Sequence, residues 1–215
     1  MSQIIITNSA AETKKFARAF AKKILKNPPL NLLSPDRNPL LNPPPKRGGG
    51  KRRGETERGV GEKAPQQQGA LVIGLCGELG SGKTTFVQGF VREFGIRDRI
   101  TSPTFVLMKR YSIPQILQKK FQVSSPPCFA ERGRGFKFQD LYHIDCYRLE
   151  SAKDLLDLGL EDTIKNPENI ILIEWPEKIK KALPRNSIFL KFLFIDDKKR
   201  EIRTLPLART LRASL

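Results

Sequence analysis

The residues with the clearest chemistry lie in the stretch 77–85, which reads G-E-L-G-S-G-K-T-T. This is the G-x-x-x-x-G-K-[ST] pattern of a phosphate-binding loop, in which glycines let successive backbone N–H groups turn toward one anion. Lys83 can then reach the β- and γ-phosphates, and the Thr84 hydroxyl can bind Mg²⁺. The pattern predicts a nucleoside triphosphate site with these nucleotide-contacting residues: Leu79, Gly80, Ser81, Gly82, Lys83, Thr84 and Thr85.

The segments on either side of this loop have the order that such a site requires. Residues 70–76 form a continuous apolar run, which is typical of a buried parallel strand. Residues 84–94 repeat apolar side chains at helical spacing, with Phe86, Phe90 and Phe94 on one side. A strand, a loop and a helix therefore follow one another, and the partial positive charge of the helix N-terminus would lie beneath the phosphates.

Two acidic residues are candidates for holding the metal and the attacking water. A phosphate-binding loop works with a carboxylate at the carboxyl end of a neighbouring strand. Glu174 ends the most apolar strand-like run of the chain, where an unpaired charge would be costly. Asp145 lies in the alternating strand pattern 141–148, on the same side as His143. We predict Lys83, Asp145 and Glu174 as catalytic residues, and a hydrogen-bonding role for His143.

Other side chains near these positions have two interpretations each. Ser102 and Thr104 flank Pro103 where a loop becomes a strand, so they form either a switch-like segment that senses the γ-phosphate or a rigid turn. Trp175, directly after Glu174, either stacks on the nucleotide base or walls the site. The chain has no N-K-x-D motif of the kind that reads guanine, so ATP is favoured over GTP.

The N-terminal residues predict a strand followed by a helix. Residues 4–7 are a short β-branched and apolar run, and the helix pattern continues to about residue 26. Ser9 and Glu12 have the spacing of a capping box at the start of that helix. One face of the helix is apolar, so we expect it to pack on the core.

The C-terminal half completes the predicted fold. Leucines within 155–160 predict a short helix that ends at Gly159. The runs 188–195 and 200–207 predict a hairpin. We therefore predict a single α/β domain over residues 1–215, of the P-loop NTPase type, with a mainly parallel central sheet flanked by helices and a C-terminal antiparallel hairpin.

The charge of the chain is strongly positive, at +17 from 39 Lys and Arg against 22 Asp and Glu. Two Pro- and Gly-rich segments, 27–69 and 112–137, each carry four more basic than acidic residues. Their composition predicts disordered insertions within the domain. Their excess charge indicates either solvated loops or a weak direct attraction to RNA.

The sequence disfavours a membrane protein, a zinc-binding protein and a disulfide-stabilised protein. No apolar run approaches the roughly 18 to 20 residues that cross a bilayer, and residues 1–6 lack the charged start of a signal peptide. Three scattered cysteines and a single histidine support neither a zinc site nor a disulfide framework. We expect a cytoplasmic protein without a membrane partner.

Five motifs in order resemble the TsaE (YjeE) family of bacterial ATPases: G-E-L-G-S-G-K-T-T, T-S-P-T-F, Y-H-I-D-C-Y-R-L, L-G-L-E-D and I-E-W-P-E. The resemblance implies a P-loop ATPase that works with TsaD and TsaB to make N6-threonylcarbamoyladenosine beside the tRNA anticodon. ATP hydrolysis would reset those partners between turnovers, and tRNA would be reached through the complex. The two insertions have no counterpart in the family.

The resemblance also implies roles for particular residues. The loop from Leu79 to Thr84 would hold the phosphates, and Thr84 with Glu174 would hold Mg²⁺. Asp145 would support the metal or position the attacking water. Ser102 and Thr104 would form the switch-like segment, and Thr13 would lie near the adenine.

Two further function classes use the same loop. A small-molecule kinase would need an acceptor pocket and a folded lid, and a nucleotide-gated scaffold would bind ATP without significant hydrolysis. No arginine finger can be identified from the sequence, an element worth about 10³ to 10⁵ in rate. We therefore expect weak basal turnover that partners complete.

Overall fold

The structure is a computed structural model that describes residues 3–26, 69–103, 106–114, 138–149, 154 and 158–205. Thr104, one of the two predicted switch residues, lies outside these ranges. Most of the two segments predicted as insertions also lies outside them, so their disorder stays a prediction. At the start of the second segment, Ser112 ends a strand and the Ile113 N–H donates to the Gln139 carbonyl at 2.8 Å.

One mixed sheet of seven strands forms the centre of the part of the chain that the structure describes, in the order β1-β7-β6-β2-β5-β4-β3. The strands are β1 (Ile4–Thr7), β2 (Leu71–Cys76), β3 (Met108–Ser112), β4 (Asp140–Asp145), β5 (Asn169–Glu174), β6 (Ile188–Phe194) and β7 (Arg200–Leu205). Apolar residues make up most of β2 and the centre of β5, and both strands are buried along their whole length.

The pairing pattern confirms the predicted fold class. β2 pairs in parallel with β5 and β6, and β5 pairs in parallel with β4. β6 and β7 form the predicted antiparallel hairpin, and β1 joins β7 antiparallel. Because parallel strands bring their carboxyl ends to the same edge, the segments that follow β2, β4 and β5 meet at one place.

Helices pack on this sheet, and one of them begins directly after the glycine-rich loop 77–82. They are α1 (Ala10–Lys26), α2 (Lys83–Glu93), α3 (Leu160–Lys165) and a 3₁₀-helix, η1 (Pro176–Ala182). At the start of α1, the Ser9 hydroxyl oxygen accepts a hydrogen bond from the Glu12 N–H at 3.1 Å, as the predicted capping box requires.

An aromatic cluster holds α1 and α2 against one face of the sheet. The ring centroids of Phe20 and Phe86 are 5.8 Å apart, and those of Phe86 and Phe192 are 5.6 Å apart. Phe86 belongs to α2 and is fully buried against α1 and β6. Burial of such a side chain stabilises the fold by about 1.5–3 kcal/mol and fixes the first turn of α2 above the strand ends.

The end of β4 differs from the sequence prediction. β4 ends at Asp145 rather than at Arg148, because an Asp145 carboxylate oxygen accepts the Tyr147 N–H at 2.9 Å and turns the chain. The strand is also buried on both faces rather than half-buried, apart from Tyr142. Gly159 has a left-handed φ of 77° and is the N-cap of α3. The helix predicted from the leucines before Gly159 falls mostly on residues outside the described ranges, so it stays a prediction.

Candidate active site

The phosphate-binding loop joins β2 to α2 and adopts a backbone that only glycine accommodates easily. Gly77, Gly80 and Gly82 have φ values of 135°, 73° and 96°. A Cβ on Gly77 would lie 2.2 Å from the Phe192 carbonyl oxygen, so the loop also passes very close to β6. Gly82 then caps the N-terminus of α2. The loop therefore lies at the carboxyl end of a central strand, as its motif predicts.

Lys83 is folded back across this loop. Its Nζ donates hydrogen bonds to the carbonyls of Gly77 and Glu78, both at 2.8 Å, and lies 4.2 Å from the centroid of the Trp175 ring. Burial lowers the pKa of the Lys83 ammonium, and the nearby carboxylate of Glu174 opposes part of that shift. The ammonium is thus held at the loop by backbone carbonyls, in reach of an incoming anion.

Glu174 is the centre of a buried hydrogen-bond chain. The Thr84 hydroxyl donates to its two carboxylate oxygens, at 2.8 and 3.0 Å. The Nε2 atom of His143 lies 2.9 Å from the nearer oxygen, Oε1. His143 is fully buried and Glu174 is 3 % exposed. These hydrogen bonds give partners to a carboxyl group whose burial would otherwise be costly. They also link α2, β5 and β4 in one network.

Asp145 lies directly opposite Glu174 in the parallel pairing of β4 with β5. Its Oδ2 atom accepts the Ser102 hydroxyl, and its Oδ1 atom accepts the Tyr147 N–H. Ser102 therefore contacts Asp145, and its predicted switch-like role stays a prediction. The structure brings Lys83, Thr84, Ser102, Asp145 and Glu174 to one edge of the sheet.

Trp175 packs beside the loop, against Lys83 and Tyr147. Its backbone has a left-handed φ of 57°, and its ring packs against Tyr147 with centroids 5.2 Å apart. The Lys83 ammonium also lies over this ring. Its two predicted roles, stacking on a base and walling the site, both stay predictions. Lys178 donates to the Tyr147 and Leu149 carbonyls, at 2.7 and 2.9 Å, and so ties η1 to the segment after Asp145.

The remaining predicted residues occupy different surroundings. Leu79 is 74 % exposed at the tip of the loop, and Thr85 is half-buried in the first turn of α2. Ser81 is buried, and its hydroxyl has no hydrogen-bond partner among the described residues. Thr13 is also buried, and its hydroxyl bonds to that of Thr7 at 2.9 Å. Its predicted position near an adenine stays a prediction.

Arg200 is a residue at this site that the sequence reasoning missed. It begins β7, and its Nη2 atom donates to the Gly80 carbonyl at 3.2 Å. No local motif marks Arg200, which is 120 residues from Gly80 along the chain. The contact depends on the crossover that places β6 beside β2 and on the turn that returns β7. The predicted hairpin was therefore the one available signal.

The donor set suits magnesium and phosphate better than a metal held by protein alone. Among the residues that the structure describes, no group of three or more His, Cys, Asp or Glu side chains could hold a metal ion. Thr84 and Glu174 instead offer hard oxygen atoms beside a phosphate-binding loop, and Mg²⁺ commonly combines such ligands with phosphate oxygens and waters. The unpartnered Ser81 hydroxyl is a further polar group available to a phosphate oxygen.

Comparison with known proteins identifies similar sequences over most of the chain. The family model described as threonylcarbamoyl adenosine biosynthesis protein TsaE matches residues 52–202. A Rickettsia bellii protein is 30 % identical over 196 residues, covering 91 % of this chain and 89 % of the relative. A Treponema pallidum protein is 32 % identical over 136 residues, covering 63 % and 82 %. Both relatives are named tRNA threonylcarbamoyladenosine biosynthesis protein TsaE.

A solved structure shares the fold. The crystal structure of Bacillus subtilis YdiB aligns with a TM-score of 0.52 and 20 % identity, covering 95 % of this chain and 84 % of that one. This likeness supports the α/β architecture. Within the described residues, no helix has the length and apolar character needed to cross a membrane.

Proposed function

The chain belongs to the TsaE family, whose members take part in tRNA threonylcarbamoyladenosine biosynthesis, and from this premise we propose that it is a Mg²⁺-dependent ATPase of that pathway. The observation that carries the proposal is the convergence of Lys83, Thr84, Asp145 and Glu174 at the end of a glycine-rich loop. This arrangement supports phosphoryl transfer, because positioning and charge stabilisation supply most of its catalysis.

Lys83 and the loop bind the phosphates in this proposal. Lys83 exchanges its bonds to the Gly77 and Glu78 carbonyls for oxygens of the β- and γ-phosphates. The N–H groups of the loop and of the first turn of α2 surround the same oxygens. The Trp175 ring packs against Lys83 and limits where its side chain can move.

Thr84 and Glu174 would hold Mg²⁺, which when bound neutralises charge on the phosphate oxygens during transfer. His143 orients Glu174 from the buried side, so the carboxylate keeps one direction when Thr84 moves toward the metal. Asp145 is oriented by Ser102 and by the Tyr147 N–H, and it is placed to orient the attacking water or a water on the metal.

Slow basal hydrolysis is the expected consequence. Arg200 contacts the loop, but both of its Nη atoms donate to backbone carbonyls. We propose that TsaD and TsaB complete the site, that hydrolysis resets this pair between turnovers, and that tRNA is reached through the complex in the cytoplasm. The basic segments 27–69 and 112–137 would add at most a weak direct contact with tRNA.

The test measures ATP hydrolysis and multiple-turnover tRNA modification with purified TsaD and TsaB. Lys83→Ala and Glu174→Ala should each reduce hydrolysis at least about a hundredfold and stop modification after one turnover. Lys22→Ala and Glu161→Ala, which remove members of surface ion pairs, are the matched controls and should retain wild-type rates.

Each result has a defined meaning. Modification that continues past one turnover without this protein, or with Lys83→Ala, would overturn the proposed role. Hydrolysis that never supports turnover would leave the phosphate site in place and remove the assignment to TsaD and TsaB. A phosphorylated small molecule would then become the product to look for.

A further inference from the structure

We propose that Arg200 is a positioning residue for the phosphate-binding loop, holding the Gly80 carbonyl outward so that the loop's N–H groups face the phosphates. The inference rests on the proposed function for its consequence, nucleotide affinity. The contact itself is a property of the protein without nucleotide, and it can be tested separately.

The Arg200 side chain bonds to Gly80 and lies near Gly82. Its Nη2 atom donates to the Gly80 carbonyl at 3.2 Å. A Cβ placed on Gly82 would lie 3.8 Å from the Arg200 Cγ atom and 3.9 Å from its Nε atom, which is ordinary contact distance. The guanidinium thus lies alongside the loop between its second and third glycines.

The Gly80 carbonyl benefits from a charged donor because of the way such a loop is built. Turning consecutive N–H groups toward one anion leaves carbonyls directed away from it, where they need other partners. The carbonyls of Gly77 and Glu78 accept hydrogen bonds from Lys83, and the Gly80 carbonyl accepts one from Arg200. A bond from an ionised donor is stronger than one between neutral groups.

The hairpin turn holds Arg200 in this position. Its Nη1 atom donates to the carbonyls of Lys199, at 2.9 Å, and Asp196. The guanidinium carbon lies 4.6 Å from the centroid of the Phe194 ring. The Asp196 carboxylate in turn accepts the Lys199 N–H at 2.7 Å. Because these groups fix the guanidinium from the hairpin side, it can act as a support for the loop.

This arrangement makes a different prediction from a direct phosphate contact. A support for the loop backbone affects the β-phosphate and the γ-phosphate alike, so ADP and ATP should lose the same factor in affinity. A guanidinium that bonded the γ-phosphate would affect ATP and leave ADP nearly unchanged. The ratio of the two losses therefore separates the two roles.

The experiment measures ADP and ATP binding by calorimetry in the presence of Mg²⁺, and hydrogen exchange of the loop peptide 77–84 without nucleotide. Arg200→Ala should weaken both nucleotides about tenfold and speed exchange in the loop. Arg200→Lys should recover part of the affinity, because an ammonium can still donate to Gly80. Arg203→Ala is the control: Arg203 lies on the same strand, is exposed and bonds to Glu201.

Equal thermal midpoints for the Arg200→Ala and Arg203→Ala proteins would exclude a general loss of fold as the cause. Loss of ATP affinity alone would overturn the positioning role, as would loop exchange identical to that of the control. If the wild-type protein binds neither nucleotide, the proposed function fails. Hydrogen exchange still decides in that case whether Arg200 holds the loop.

Discussion

The phosphate-binding loop is made by one continuous stretch between β2 and α2, whereas the carboxylate side of the site is assembled from separate segments. In the loop, the backbone conformation sets the shape of the site, and Gly77 has no room for a side chain beside Phe192. On the carboxylate side, Glu174 and Asp145 depend on strand register and on partners such as His143. The loop therefore depends on its own backbone conformation. The carboxylate side depends on side chains from neighbouring elements.

The largest effect should come from adding one methyl group to the loop. Gly77→Ala places a Cβ 2.2 Å from the Phe192 carbonyl, at a φ of 135° that L-residues rarely adopt. The Phe192 carbonyl belongs to the backbone of β6 and cannot move aside easily. We therefore expect a loss of about 3 kcal/mol or more in the free energy of unfolding, measured in urea.

Gly80→Ala is the matched control for this prediction. Gly80 also has a positive φ, of 73°, but a Cβ there would meet nothing within 4 Å. Its cost should be only roughly 1–2 kcal/mol, the strain of a left-handed residue. Equal losses for the two variants would show that close packing against β6 does not set the requirement for glycine at residue 77.

The same contrast explains what could be predicted from sequence. The loop, its lysine and its threonine lie within one short motif, so their mutual positions follow from local geometry. Glu174 could be predicted because an apolar buried strand ending in a carboxylate is unusual. The hairpin and α1 could be predicted because turn residues, capping residues and apolar periodicity are also local signals.

Features that depend on non-local pairing could not be predicted in the same way. Arg200 reaches Gly80 only through the parallel pairing of β2 with β6. The alternating pattern of β4 continues past Asp145, so the turn made by the Asp145 side chain was not visible.

A smaller effect tests whether the two halves of the site act separately. His143→Ala removes the group that orients Glu174, so we expect the Mg²⁺ concentration needed for half-maximal hydrolysis to rise about 10- to 100-fold. ATP affinity measured in EDTA should stay unchanged, because the loop is built without His143.

His143→Gln is the rescue variant, since its amide can donate a hydrogen bond toward the same carboxylate oxygen. It should restore most of the Mg²⁺ response. If His143→Ala instead weakens metal-free ATP binding as strongly as Mg²⁺ use, the loop and the carboxylate side are one cooperative unit, and the contrast drawn between them is wrong.

The smallest effect should come from the hairpin turn that carries Arg200. Backbone N–H bonds from Lys198 and Lys199 lower the pKa of the Asp196 carboxyl from its ordinary value of 3.8. Asp196→Ala loosens the turn, so ADP affinity at pH 7 should fall about two- to threefold, less than for Arg200→Ala. Asp196→Asn keeps an acceptor oxygen and should lie closer to wild type.

The pH dependence follows from the direction of this shift. A carboxyl whose pKa is lowered by folding stabilises the native state above its unfolded pKa, and this contribution is lost as the pH falls through the folded pKa. The urea midpoints of wild type and Asp196→Ala should therefore differ most at neutral pH, and the difference should begin to shrink as the pH falls below about 3.8. A difference that does not shrink at all between pH 7 and pH 3 would mean that the Asp196 charge does not hold the turn, and that Arg200 is positioned by Phe194 and the backbone carbonyls of the turn.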